Sequence, residues 1–87
     1  MTTEPNAKIA GARPVKRSFS IAGHSTSLSL ETEFWDALKA FAATDGCAVA
    51  RMIERIDRDR GDAGLSSAVR VYVLKRLQDE IAGRERD

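Results

Sequence analysis

The sequence contains few side chains that could carry out covalent chemistry. It has one histidine, His24, and one cysteine, Cys47, so one chain can form neither a disulfide nor a Cys/His zinc site. Cys47 stands near the start of a predicted helix, a position where a thiol can become reactive, but no general base accompanies it. A half-buried thiol is therefore the favoured interpretation. We expect no metal, no cofactor and no enzymatic activity.

Acidic and basic residues alternate from Glu54 to Asp62. This pattern is typical of a solvated helix end with ion pairs, rather than of a catalytic pair of carboxylates. Two glycines, Gly61 and Gly64, lie at the end of this segment, but the residue after Gly64 is Leu65 and not the Lys-Ser or Lys-Thr of a phosphate-binding loop. The chemistry of this segment therefore indicates a surface and not an active site.

A chain of 87 residues with 43% hydrophobic and 31% charged residues is one small soluble domain. So small a core is marginally stable alone, which favours an oligomer. The amino terminus has no signal-like apolar segment, and no apolar run is long enough to span a membrane, so we expect a cytoplasmic protein. The net charge of +1 is unevenly distributed, because the first thirty residues contain four basic side chains and one acidic side chain. Contact with a polyanion is expected at this end.

Two segments alternate with the period of a β-strand. Residues 1–14 are predicted to be a flexible arm, residues 15–82 the folded domain and residues 83–87 a flexible tail. Val15–Ile21 is compatible with a first strand, and a turn at residues 22–24 would lead to a second predicted strand, residues 25–30. Alternation in the second strand predicts Leu28 and Leu30 on the core side and the three serines on the opposite side. This short strand needs a partner strand.

The helical period begins after Glu31. A first helix is predicted over residues 32–45, with Thr32 as its N-cap and Gly46 just after its end. A second helix buries its apolar positions and ends in the glycine-containing stretch 61–64. A third helix starts with Ser66 as N-cap and continues through Ile81, and its apolar arc is wide enough to predict contact with a second subunit.

The order of strand, helix, glycine and helix resembles the ribbon–helix–helix family of bacterial DNA-binding proteins, and the resemblance covers residues 15–77. The segments that carry it are Thr26-Ser27-Leu28-Ser29-Leu30-Glu31, Phe34-Trp35-Asp36-Ala37-Leu38, Gly46 and Val49 to Ile53. A narrower likeness is to a subgroup of small members that have an extra carboxyl-terminal helix. It is carried by Lys16-Arg17-Ser18, Ala22-Gly23-His24, Ile56-Asp57 and the segment from Leu65 to Val71.

The resemblance implies a mainly α fold with a short β-ribbon, an intertwined homodimer and a third helix. In such a dimer one strand from each chain enters the DNA major groove. The residues implied to read bases are Ser25, Ser27 and Ser29. The candidates for phosphate contacts are Lys16, Arg17 and His24, with the backbone at Gly46, Cys47 and Ala48. The residues implied for the dimer core are Leu28, Leu30, Phe34, Trp35, Leu38, Val49, Ile53 and Ile56.

Two residue types depart from the family pattern. Serines occupy positions where relatives often have Arg, Lys, Asn or Gln, and Ala48 replaces a capping hydroxyl. Both changes weaken base readout or phosphate binding. We nevertheless expect a transcriptional regulator, a repressor, that binds double-stranded DNA as a homodimer or a higher oligomer. The alternative is a protein-interaction module, an antitoxin or adaptor, that binds a partner through the third helix. The segment Val15–Ile21 is either an outer strand or a basic arm along the DNA.

Overall fold

The computed structural model describes residues 13–86, so almost all of the predicted arm over residues 1–14 lies outside the described residues. Two strands precede three helices. The strands are β1 (Val15–Ile21) and β2 (His24–Leu30). The helices are α1 (Thr32–Asp45), α2 (Val49–Asp59) and α3 (Leu65–Arg86).

The two strands form an antiparallel hairpin within one chain. Its two-residue turn has left-handed backbone angles at both central positions, with φ of 51° at Ala22 and 82° at Gly23. These angles give a turn whose twist matches that of the flanking strands. Val15–Ile21 is therefore a strand and not an arm. The partner strand that β2 requires is present in its own chain, because β1 pairs with it along its whole length.

The helix α1 begins and ends close to the predicted positions. Its N-cap is Glu31 and not Thr32, because the amides of Phe34 and Trp35 donate to the Glu31 carbonyl oxygen at 2.9 and 3.2 Å. The helix therefore starts one residue earlier than the capping pattern suggests. Gly46 has a left-handed φ of 69°, a conformation that glycine adopts with little strain, and it ends the helix as predicted.

The helix α3 differs from its prediction at both ends. It starts at Leu65, and the amide of Ala68 bonds to the carbonyl oxygen of Gly64, so Ser66 lies inside the first turn and is not the cap. The Ser66 hydroxyl instead donates to the carbonyl oxygen of Ser29 at 3.4 Å. The helix continues to Arg86, past the expected boundary at residue 82, because the last residues are mostly good helix formers.

One face of the hairpin packs on the helices and forms a single core. The indole Nε1 of Trp35 donates to the Val15 carbonyl oxygen at 2.9 Å, which ties α1 to β1. The buried residues are Ile21, Leu28, Leu30, Trp35, Leu38, Phe41, Ala42, Met52, Ile53, Ile56, Val69 and Val73. Leu28 and Leu30 are only 2% and 0% exposed in the single chain. The residues expected in a dimer core are thus largely covered by their own chain, and their burial does not require a second subunit.

Candidate nucleic-acid interface

The hairpin presents a polar face opposite the core. In the register of the two strands, Lys16 lies beside Ser29, Ser18 beside Ser27, and Ser20 beside Ser25. Residues directly opposite each other in an antiparallel pair share a face. We call this set the serine face, which consists of Lys16, Ser18, Ser20, Ser25, Ser27 and Ser29. Five of these six side chains are exposed. The sixth, Ser29, is half-buried against the start of α3.

The serine face includes two hydroxyls that were not predicted from the sequence to be functional. Ser18 and Ser20 come from β1, and the hydroxyl oxygen of Ser18 lies 3.4 Å from that of Ser27. Their alternation with apolar residues was visible in the sequence, but the pairing register was not. Each hydroxyl can donate one hydrogen bond and accept others, so the face can bind either donors or acceptors. Its small side chains permit close approach of a ligand.

Arg17 and His24 lie away from the serine face. Arg17 pairs with Leu28 across the hairpin, and its guanidinium carbon lies 5.3 Å from the centre of the Trp35 ring. The face of an indole ring attracts a cation at this distance. His24 pairs with Ile21 next to the turn, on the same side as Arg17. Strand alternation separates both residues from Lys16, so the three proposed phosphate contacts do not form one cluster.

The segment between α1 and α2 has fewer free amides than the sequence suggests. The amide of Gly46 donates to the Ala43 carbonyl oxygen at 3.2 Å, and the amide of Cys47 donates to the Ala42 carbonyl oxygen at 3.0 Å. Gly46 and Cys47 therefore cannot offer these N–H groups to a phosphate without losing the helix end, contrary to our expectation. The amides of the first turn of α2, which follow Ala48, lack intrahelical acceptors by helix geometry.

The thiol of Cys47 has a basic neighbour. A guanidinium nitrogen of Arg55, on the following helix α2, lies 3.2 Å from the sulfur. Cys47 is half-buried, and its neighbour is a permanently charged arginine rather than a base that could remove the thiol proton. The arrangement agrees with a structural role for this residue.

Two arginines of α3 form ion pairs that attach this helix to the rest of the domain. Arg70 donates to a carboxylate oxygen of Glu31 at 2.9 and 3.2 Å. Arg76 donates to both carboxylate oxygens of Asp45, at 2.7 and 3.1 Å, and its guanidinium lies 4.3 Å from the centre of the Phe41 ring. These hydrogen bonds lower the pKa of Glu31 and of Asp45 below their ordinary values. Both arginines act in the fold and are not free cations for DNA.

The described residues contain no cluster of His, Cys, Asp and Glu side chains that could hold a metal ion. Within the same residues, no helix is both long enough and apolar enough to cross a membrane. The exposed polar groups of the hairpin form the candidate site.

Comparisons with known proteins agree with this architecture. The family description "ribbon-helix-helix domain" matches residues 14–77. Among solved structures, the chain is similar to an uncharacterized protein from Bordetella pertussis Tohama I, with 31% sequence identity and a TM-score of 0.76. The match covers 97% of this chain and 74% of that one. No curated protein matches. The hairpin, the helix pair joined at Gly46 and this agreement in sequence and structure lead to one conclusion: the chain belongs to the ribbon-helix-helix domain family.

Proposed function

We propose that the protein is a homodimeric, sequence-specific DNA-binding regulator that reads the major groove with the β2 strands of two chains. Members of this family are generally DNA-binding transcription regulators. The observation that carries the proposal is the serine face, a largely exposed polar surface of the hairpin that consists of five hydroxyl side chains and one lysine. Repression by occupying an operator in the cytoplasm is the regulatory mode we propose.

The free edge of β2 supports the dimer. One edge of β2 pairs with β1, and the described chain has no third strand for the other edge. The residues that flank a two-residue turn bond to each other, so by alternation the backbone groups of Ser25, Ser27 and Ser29 point to the free edge. Antiparallel pairing of two β2 strands about Ser27 would overlap the full strand. The result would be a four-stranded sheet with both serine faces on one side.

The width of the major groove assigns different roles to the two strands. The groove is about 12 Å wide and admits a two-stranded ribbon, and neighbouring strands lie about 4.8 Å apart. Four strands are too wide to enter together. In the proposed complex, the two central β2 strands therefore contact base edges through Ser25, Ser27 and Ser29. The outer β1 strands run along the groove walls, where Lys16 meets phosphates and Ser18 and Ser20 add hydrogen bonds.

Because its base-contacting side chains are serines, we expect the protein to discriminate only weakly between DNA sequences. A hydroxyl donates or accepts and so discriminates poorly between bases, unlike the bidentate contacts of Arg or Asn. We expect specificity to come from several weak contacts repeated by the two-fold symmetry of the dimer. The operator should then be palindromic.

Selection of DNA from fragmented genomic DNA by the purified full-length protein tests the proposal. We expect enrichment of a small set of palindromic sites, with affinity that falls as salt rises because phosphate contacts release counterions. The variant Ser27→Ala is the matched control, since it removes one central hydroxyl from each chain while leaving Lys16 in place. Failure to enrich any sequence would contradict the proposal and would favour the alternative of a protein-interaction module.

A further inference from the structure

The helix α3 carries an uncovered apolar strip. Its four members are 42% to 54% exposed, although all are large aliphatic residues: Val71, Leu74, Leu77 and Ile81. With Phe34 and Val73, the first three line a groove of about 370 Å³. Exposed apolar surface that is contiguous in this way marks an interaction site in a soluble protein.

The strip lies on the side of the molecule where β2 has its free edge. The helix α2 packs against β1, whereas α3 packs against β2. Ser66, at the start of α3, donates to the carbonyl oxygen of Ser29, which is one of the residues whose backbone points to that edge. One turn later, Arg70 bonds to Glu31, the residue that follows β2. A second chain that pairs along β2 would therefore approach α3 as well.

The chemistry of the groove favours an apolar occupant. Arg70 is the charged residue among those that line it, and that charge is already neutralised by the carboxylate of Glu31. An acidic partner would have no free cation to bind there, whereas the aliphatic side chains of a second strip could pack against this one. A two-fold axis brings the same patch of both subunits together, and an apolar strip is complementary to itself.

We propose that α3 forms a second inter-subunit contact, in which the strips of two copies pack on each other beneath the paired β2 strands. The inference rests on the ribbon dimer of the proposed function and deepens it. It also supplies a source of dimer stability that the hairpin lacks. Since the chain buries Leu28 and Leu30 by itself, pairing of β2 edges adds backbone hydrogen bonds but little new apolar burial.

A matched pair of neighbouring substitutions tests the strip. Ile81→Asp puts a charge in the strip, whereas Gly83→Asp puts the same charge two residues further on, on the opposite side of the helix, at an exposed position where an added Cβ meets no atom within 4 Å. We expect Ile81→Asp to weaken self-association at least tenfold in sedimentation, and Gly83→Asp to change it less than twofold. Both positions are exposed in the single chain, so the helical circular dichroism of both variants should remain. Equal effects of the two substitutions would overturn the inference.

Cysteine cross-linking separates this contact from the ribbon contact. In a Cys47→Ser background, single cysteines replace Val71, Leu74, Leu77 or Ile81, and Ser27→Cys reports on β2 pairing. We expect a disulfide-linked dimer on mild oxidation from Ser27→Cys and from at least one position of the strip.

Cross-linking at residue 27 and cross-linking along α3 test the two contacts separately. Cross-linking at residue 27 with none along α3 would refute the helix contact and leave the ribbon dimer standing. Cross-linking along α3 with none at residue 27 would refute the ribbon geometry of the proposed function, and with it the shared axis inferred here. A protein captured on the strip of a chain that stays monomeric would overturn the inference in favour of a foreign partner.

Discussion

Replacing Lys16 and Arg17 separately by alanine should have different effects on DNA binding, although the two residues are adjacent in the sequence. Lys16 belongs to the serine face, whereas Arg17 lies on the opposite side with its guanidinium carbon 5.3 Å from the centre of the Trp35 ring. In the proposed dimer, Lys16→Ala removes two phosphate contacts. Each contact contributes about 0.9 to the slope of log affinity against log salt, so the slope should become shallower by about 1.8.

The size of this change is measurable. Between 50 mM and 200 mM salt, a slope difference of about 1.8 corresponds to about a twelvefold difference in how far the affinity falls. Arg17→Ala should leave the slope unchanged, and it should instead lower the free energy of unfolding by about 0.5–1 kcal/mol through loss of the cation–π contact. Fluorescence anisotropy over a salt series measures the slopes, and urea denaturation measures the stability.

Two outcomes would contradict the different roles predicted for Lys16 and Arg17. If both variants reduced the salt slope equally, then Arg17 would also contact phosphate and the separation of the two faces would not govern DNA binding. If neither variant changed the slope, the serine face would not be the surface that meets the DNA.

Three further predictions concern the reading strand, the turn and the ion pairs. Ser27→Ala should weaken binding to the selected site by about 2 kcal/mol per dimer, from one hydrogen bond per subunit, and Ser27→Arg should change which sequences are selected, as sequencing of bound DNA would reveal. Ala22→Asn should raise the free energy of unfolding by about 1 kcal/mol, because asparagine tolerates the left-handed φ of 51° better than alanine does; an unchanged or lower urea midpoint would argue against this turn. The pKa of Asp45 is held below its ordinary value of 3.8 by the hydrogen bond from Arg76, so the stability from this pair is complete above that pH and is lost as the pH falls through the lowered value. Asp45→Asn should therefore flatten the loss of stability below about pH 4 in acid denaturation, and a wild-type acid profile in this variant would contradict the assignment.

Local patterns in the sequence were sufficient for most of the secondary structure. The helix over residues 32–45 was predicted with the bounds that the structure has, the alternating segment Val15–Ile21 coincides with β1, and the left-handed Gly46 ends that helix as expected. Periodicity and helix ends depend on residues within a few positions of each other, so they can be read without knowledge of the fold. The exposed apolar arc of α3 was visible for the same reason.

The pairing of the strands was decided by tertiary structure. Alternation divides each strand into two faces but does not say which strand lies beside it, so the sequence left β1 as either an outer strand or an arm. The hairpin register then adds Ser18 and Ser20 to the serine face. The same register moves Arg17 to the other side, where the ring of Trp35 lies within reach.

The state of individual polar groups also depended on contacts between distant parts of the chain. Ser66 was expected to cap α3, but the carbonyl oxygen of Ser29 lies close enough to accept its hydroxyl. The sequence by itself determined the elements and the chemistry of each face. Only the folded chain decided which faces meet, because burial and hydrogen bonding between residues far apart in sequence outweigh local preference in so small a core.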